Sequence, residues 1–467
     1  MNRSSIGCIV LIAALLSPLP APAQQVLVLE GGTLIDGTGR NPTSDAVVVI
    51  EGSRIKAAGA KGQVSYPKDA KVIRTDGKSI LPGLIDGHIH LKDYMAPMFL
   101  RYGVTTFADT NNHTEWSLAQ REALKTGKIK GPRLFVSGVA AGGPPAEGRA
   151  TTVSGKQEPF SPYTRPGSDK LPVFAVNLQT VDEARTYVRS LLAQHVDMIK
   201  VDLGLSQDQL RAIIEEAGKG GVPVVGHSQN IQKAAGVGLK YMEHTDTLAR
   251  SILEQMGGPE KVKEGGATPE RLMDTKLFDP AIQYLVKQRV YLNPTLFSRW
   301  RTSTPRGQEA TNAAKEIVKD PGLAFVPDEV RNSWVAAGRA PENEAYKKVA
   351  EFLRKYSAAG GKVLAATDAG PLPGLSLHYE MQMLVDVGIP PMKAIQGATL
   401  WAAESVGQQK DLGSIEPGKL ADITVVEGNP LNDIAATRKV QMVIKDGKVL
   451  DTKYDPAFKN PIPRPTR

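Results

Sequence analysis

Two textures of hydrophobic patterning divide the chain. Over residues 24–80, short β-rich runs (VLVLEG, AVVVIEG, RIKAAG, KVIRTDG and SILPG) alternate with Gly/Asp turns, the pattern of small strands joined by tight turns. The same texture returns in ADITVVEG and QMVIKDGKVL near residues 421–450. Between these ends, short apolar runs alternate with helical stretches such as VDEARTYVRSLLAQH, whose apolar residues recur near i, i+3 and i+4. That alternation predicts parallel α/β structure. The strand candidates are LIDGHIH, VTTFADT, RLFVSG, MIKVDL, PVVGHS, YMEHT, VYLNPTL and VLAATDA, the right number for a (β/α)8 TIM barrel. The expected fold class is therefore α/β: a barrel over 81–409, with a small β-sandwich domain built from both termini, 24–80 and 410–455. Two excursions interrupt the rhythm. Residues 139–175 are Gly/Pro-rich, and residues 246–288 with 299–356 read as largely helical; long βα excursions usually cover the functional face of a barrel.

Composition narrows the class without naming a function. Hydrophobic residues make up 41% and charged residues 23% of the 467 positions, ordinary globular usage that rules out disorder as the main state. The first residues combine Arg3, an apolar run from Ile6 to Leu16 and the small-residue end Ala21-Pro22-Ala23. This is the layout of a secretory signal peptide over 1–23, cleaved near Ala23, and its apolar run is shorter than the roughly 20 residues that span a bilayer. The expected location is the periplasm or the secreted space, without stable membrane insertion. The single cysteine, Cys8, lies inside that peptide, so the remainder has no disulfide, no thiolate metal site and no cysteine nucleophile. Net charge is +8, but Lys and Arg are scattered among acids, with no polybasic block or aromatic interleaving. Nucleic acid is not an expected partner; a homo-oligomer is compatible with the sequence.

The candidate chemistry sits at strand ends. The chain has 7 histidines, and two form the pair His88-Ile89-His90 at the end of the first barrel strand. In a strand, i and i+2 point to the same side, so both imidazoles can meet one ion. His227 ends PVVGHS, His244 ends YMEHT and Asp368 ends VLAATDAG. In a parallel barrel such ends converge on one mouth. Four histidines and a carboxylate there form an N/O ligand set suited to Zn²⁺ or another divalent transition metal. Lys200, in DMIKVDL, falls at the same place in the rhythm. An ammonium is a poor neighbour for a metal, which leaves a neutral reactive amine, a carbamate formed with CO₂, or a side chain snorkelling to solvent. A closed structural zinc site would more typically use cysteines. His113, in FADTNNHTEW, and His378, in LSLHYE, are candidates for substrate contact, with an exposed loop position as the other reading of His113. His195 precedes the fourth strand and reads as structural.

Taken in order, GGTLIDGTG, ILPGLIDGHIHL, DMIKV, VVGHS, GLKYMEHTD, ATDAG and GSIEPGKLADITVVEGNPL resemble the metal-dependent amidohydrolase superfamily, in its imidazolonepropionase and Xaa-Pro dipeptidase-like group. The resemblance implies that His88, His90 and Asp368 hold one metal and His227 and His244 a second, with carboxylated Lys200 bridging them. Zinc is the expected ion, with manganese or cobalt as alternatives. It implies hydrolysis of an amide or peptide C–N bond in a small dipeptide-like or N-acyl amino acid substrate by water activated between two cations. Asp368 would accept the water's proton and deliver it to the leaving nitrogen. Ester, lactone or phosphotriester hydrolysis on the same site, and a noncatalytic ligand-binding barrel, are the competing readings. Gly142-Gly143-Pro144 stands where many relatives carry a GGH segment; the missing histidine puts their dipeptide or ring-amide specificity in question.

Overall fold

Strand Leu27–Glu30 shows why the terminal regions are apolar without alternation. Leu27 and Leu29 face a cluster with Val48, Ile50, Ile80, Ile423 and Ile444, while Val28 packs with Val47 and Val49 on the opposite side. Both faces of the strand are covered, so successive residues of either orientation are apolar. The computed structural model describes residues 26–143, 175–266, 268–336, 343–368 and 371–464. The expected signal peptide, Pro144 and most of the 139–175 excursion lie outside the described residues.

The terminal regions form two sheets that share the first of these clusters. One is four-stranded, in the order Arg54–Ala60, Ala46–Glu51, Leu27–Glu30, Lys71–Arg74. The other is five-stranded and mixes the two ends of the chain: Ile423–Glu427 pairs antiparallel with Lys78–Pro82, with Thr424 opposite Leu81.

The middle of the chain supplies parallel strands, labelled here β1 (Leu84–Ile89), β2 (Val104–Asp109), β3 (Arg133–Val136), β4 (Ile199–Val201), β5 (Val224–Gly226), β6 (Tyr241–Glu243), β7 (Tyr291–Asn293) and β8 (Lys362–Val363). β1–β3 form a three-stranded sheet. β4–β8 belong to a seven-stranded sheet, whose β4 edge is extended by Ala141–Gly142 and Val176–Asn177. The sheets meet at both edges. Beside β3, the Asp197 N–H donates to the Val136 carbonyl at 2.8 Å. Beside β1, the Asp368 N–H donates to the His88 carbonyl at 2.8 Å, and the buried Asp86 carboxylate accepts from the Thr367 N–H at 3.1 Å and hydroxyl at 2.6 Å.

The eighth strand departs from expectation. Among the described residues VLAATDA contributes regular strand only at Val363, beside Lys362: the Leu364 N–H still donates to the Leu292 carbonyl at 2.8 Å, but beyond it Ala365 turns to the Gly397 carbonyl and Thr367 to Asp86. The helical reading of the middle holds. Helix Val181–Ala193 begins at Thr180, whose side chain accepts from the Glu183 N–H, and buries Ala184, Val188 and Leu191 along one stripe. The described residues of the 246–288 and 299–356 excursions are also largely helical. His195 follows that helix with φ 60°, and its carbonyl accepts from Arg121, a structural position as expected.

Candidate metal centre

His88 lies on β1 and His90 just beyond its end; Lys200 is the central residue of β4; His227 and His244 directly follow β5 and β6; Asp368 lies on the segment continuing β8. His90, His227, His244 and Asp368 thus lie beyond the C-terminal ends of parallel strands, with His88 and Lys200 one residue before such an end. Local backbone sets the angles of approach. A Cβ on Gly226 would lie 2.0 Å from the Val201 carbonyl oxygen, and the residue has φ 147°. Glycine there brings β5 against β4 and delivers His227, whose N–H donates to that same carbonyl at 3.0 Å. His244 and Asp368 themselves have φ 63° and 54°, and Thr295 beyond β7 has φ 47°. Non-glycine residues at such angles store strain and cluster at functional sites.

The structure brings His88, His90 and Asp368 together, with ligand atoms all within 4.8 Å of one another. Asp368 Oδ1 lies 3.3 Å from His88 Nε2 and 3.1 Å from His90 Nε2. The two rings stand at 86° to each other, so two imidazole nitrogens converge on one carboxylate oxygen from different directions. The second pair is adjacent: the His227 and His244 ring centroids are 4.8 Å apart, and His244 is 5.2 Å from His88.

Each imidazole is oriented through its other nitrogen. His88 Nδ1 bonds the Glu243 carboxylate; His227 Nδ1 bonds Asp202 Oδ1 at 2.8 Å; His244 Nδ1 meets Thr295 Oγ1 at 2.6 Å; His90 Nδ1 meets the Asn111 carbonyl at 3.4 Å. An ionised carboxylate only accepts, so Nδ1 of His88 and His227 carries a proton, and in the neutral ring Nε2 is then the nitrogen with the lone pair. This is the arrangement by which outer partners aim metal-binding histidines. The buried Nε2 atoms of His88 and His227 and the Nζ of Lys200 have no hydrogen-bond partner. Orphaned, buried, convergent donor atoms of N and O type fit divalent transition ions.

Electrostatics agree with a cation-seeking pocket. Burial pushes the Asp368 carboxyl up, but His88 and His90 outweigh it and hold it well below the usual carboxylate range. Burial likewise opposes the charge on Glu243, yet His88 and Lys200 keep its pKa far below normal. Burial pushes His244 down to about 3, leaving it neutral, as a ligand must be. Lys200 is only 2% exposed, 4.0 Å from Glu243 Oε1. The solvent-snorkelling reading is thereby corrected: the strand points the lysine inward.

Two other expectations need correction. His378 is fully buried, with Nδ1 on Thr437 Oγ1 at 3.0 Å and Nε2 on the Tyr102 carbonyl at 2.8 Å. Both ring nitrogens are engaged in packing, and none is left for a substrate. His113 is not an exposed loop residue: it is 2% exposed at the start of helix Thr114–Lys125, and burial lowers its pKa to about 4. The orienting residues Glu243, Asp202 and Thr295 were not singled out from sequence. Asp202 was within reach, since it stands at i+2 from Lys200 and shares its side. Glu243 was harder, because adjacent strand residues face opposite ways; the positive φ of His244 brings both to the mouth.

The Amidohydrolase family profile matches residues 79–450. Ochratoxinase from Aspergillus niger is 25% identical, covering 91% of this chain and 86% of that protein. Imidazolonepropionase from Pseudomonas fluorescens is 23% identical over 84% of this chain and 90% of its own. The crystal structure of a Xaa-Pro dipeptidase with bound methionine superposes with a TM-score of 0.63 at 24% identity, covering 91% of this chain and 100% of that one. Parallel strands carrying inward histidines at their C-terminal ends thus belong to a TIM barrel-like α/β fold. The chain is a member of the amidohydrolase family, an enzyme that hydrolyses carbon–nitrogen bonds.

Proposed function

We propose that the protein is an exported hydrolase with two divalent ions, acting on an amide or peptide bond of a small dipeptide-like or N-acyl amino acid substrate. The reading places a closed (β/α)8 barrel over 81–409 and a β-sandwich over 24–80 with 410–455. His88, His90 and Asp368 would hold one ion and His227 and His244 the other. Lys200, as its carbamate, would lie between them. The observation that carries this is the convergence of Nε2 atoms of His88 and His90 on one oxygen of Asp368, with the outer nitrogens tied back. The relatives supply the substrate class by analogy, and the Arg3-to-Ala23 pattern supports export.

When bound, the ions supply Lewis acidity that activates water near neutral pH and polarises a carbonyl. The residues do the rest. Glu243 and Asp202 keep His88 and His227 in one tautomer and orientation. Asp368, held ionised, accepts the water's proton on a carboxylate oxygen and passes it to the leaving nitrogen, with Ser298 Oγ 3.4 Å from Oδ2 to steady the group. The Lys200 Nζ, buried beside Glu243, would carry the carbamate. Chelation should abolish amide hydrolysis and Zn²⁺, Mn²⁺ or Co²⁺ should restore it; activity indifferent to metal would overturn the mechanism. Lys200→Ala should lose most activity and recover part with short carboxylic acids, and wild-type activity in that variant would remove the lysine from the centre. A panel of acyl amino acids, lactones and phosphotriesters distinguishes amide from ester chemistry.

A further inference from the structure

The last described segment lies against the mouth rather than beside the terminal sheets. After Lys448–Val449 the chain continues without regular secondary structure to Arg464. It is anchored on the helix following β2. The Ile462 carbonyl accepts from Trp116 Nε1 at 3.0 Å and from Gln120 Nε2 at 2.7 Å, and Asn460 Nδ2 donates to the Asp93 carbonyl at 3.0 Å and to Gln120 Oε1 at 3.1 Å. Trp116 and Gln120 are buried, so this is a built seat. Its consequence is the position of Arg464. The Arg464 N–H donates to the Asp93 carboxylate at 3.0 Å, and its guanidinium donates to Asn112 Oδ1 at 2.8 Å and lies 5.7 Å from the Trp116 ring. Asn112 in turn donates to the Leu91 carbonyl at 2.9 Å. Leu91 follows His90, and Asn111 supplies the carbonyl that orients His90. The guanidinium therefore stands on the rim formed by the loops after β1 and β2, on the face where the candidate ligands converge.

Among the described residues no carboxylate lies within ion-pair distance of this guanidinium, and only one of its five donors has a partner. Asp93 is turned to the backbone N–H instead. Lys92, two residues past His90, likewise has no ion-pair partner among the described residues. A half-buried guanidinium with no carboxylate partner among the described residues is suited to a carboxylate, which it binds through its planar fork.

We propose that the C-terminal strap is part of the active-site wall and that Arg464 is a specificity-determining residue, receiving an anionic carboxylate on the substrate. This deepens the amide-hydrolase reading and rests on it. The substrate class it selects is an N-acyl amino acid or dipeptide with a free carboxylate, over the matching carboxamide.

The test compares wild type, Arg464→Met and Arg464→Lys on paired substrates, N-acyl amino acids and their carboxamides. In wild type the acid should be preferred. Arg464→Met should raise KM for the acid by roughly 10–100-fold, the loss of one charge-assisted pair, and so reduce the preference for acid over carboxamide by that factor; Arg464→Lys should recover part of the loss. Equal effects on acid and carboxamide, or no effect on either, would overturn the proposal while leaving amide hydrolysis standing. If wild type hydrolyses neither member of any pair, the amide reading fails. Calorimetric binding of N-acetyl amino acids then decides the strap: binding by wild type lost in Arg464→Met supports it, and equal or absent binding in both overturns it.

Discussion

Glu243 offers the sharpest perturbation, because one oxygen serves two donors in a sealed space. Its Oε2 accepts from His88 Nδ1 and, at 2.6 Å, from Asn293 Nδ2, while Oε1 lies 4.0 Å from Lys200 Nζ; the residue is 3% exposed. Glu243→Gln can keep an oxygen in the Oε2 position and so preserve both bonds, losing only the charge that makes His88 a stronger ligand. Glu243→Ala loses both bonds and frees the ring to rotate or change tautomer. A hydrogen bond to a charged group is worth about 1.5–3 kcal/mol, and every 1.4 kcal/mol is tenfold in affinity. Metal affinity should therefore fall by about 10–100-fold in the alanine variant, the usual range for the outer partner of a metal-bound histidine. The glutamine variant should fall by less than about tenfold. Competition against a chromophoric chelator measures both, with urea unfolding run in parallel to verify that each variant folds. Wild-type affinity in Glu243→Ala would refute the claim that His88 is aimed by this carboxylate. A larger loss in glutamine than in alanine would refute the assignment of the bonds.

Three further outcomes follow from the packing. Burial pushes Glu380 up to about 8, against the Leu296 and Phe297 N–H groups that it accepts from. Between its ordinary 4.5 and about 8 the folded chain then binds more protons than the unfolded one, so stability falls as pH rises through that window. Glu380→Gln should remove this component, on the order of a few kcal/mol, seen as a flatter dependence of urea midpoint on pH; an unchanged slope would contradict it. Asp422 links the terminal sheets to β3, pairing with Arg133 at 2.5 Å and accepting from the Asp446 N–H at 2.8 Å while 6% exposed. Arg133 also pairs with the Asp446 carboxylate, so Asp422→Ala should cost about 1.5–3 kcal/mol by removing one of two acceptors from a poorly solvated guanidinium, and an unchanged stability would show that Asp446 alone suffices. Ile423→Ala, in the cluster shared by both terminal sheets, should cost about 2–5 kcal/mol without altering metal binding.

How much of this was legible in the sequence depends on whether a position is fixed by local pattern. The strand-end histidines were, because a strand carrying HxH commits both rings to one side and parallel connections commit all the C-terminal ends to one face. The terminal β-runs were legible as strands from their Gly/Asp-punctuated texture, but the pairing of Ile423–Glu427 with Lys78–Pro82 was not, because texture carries no register. The eighth strand was overextended because Asp86 takes the N–H that a ladder would have used, a long-range substitution invisible locally. His378 misled because its neighbours, Tyr102 and Thr437, come from distant segments and bury it. Glu243 was hidden by a backbone angle at the next residue. The strap carried no periodic signal at all; its placement depends on single bonds from Trp116, Gln120 and Asp93.

The central claim is that His88, His90, Lys200, His227, His244 and Asp368 form one centre for a pair of ions. Elemental analysis of purified, dialysed protein after expression in metal-supplemented medium tests it most directly. The account predicts two divalent ions per chain, falling to one or fewer in His88→Ala and in His227→Ala. Less than one ion per chain in the wild type, or an undiminished count in both variants, would contradict it.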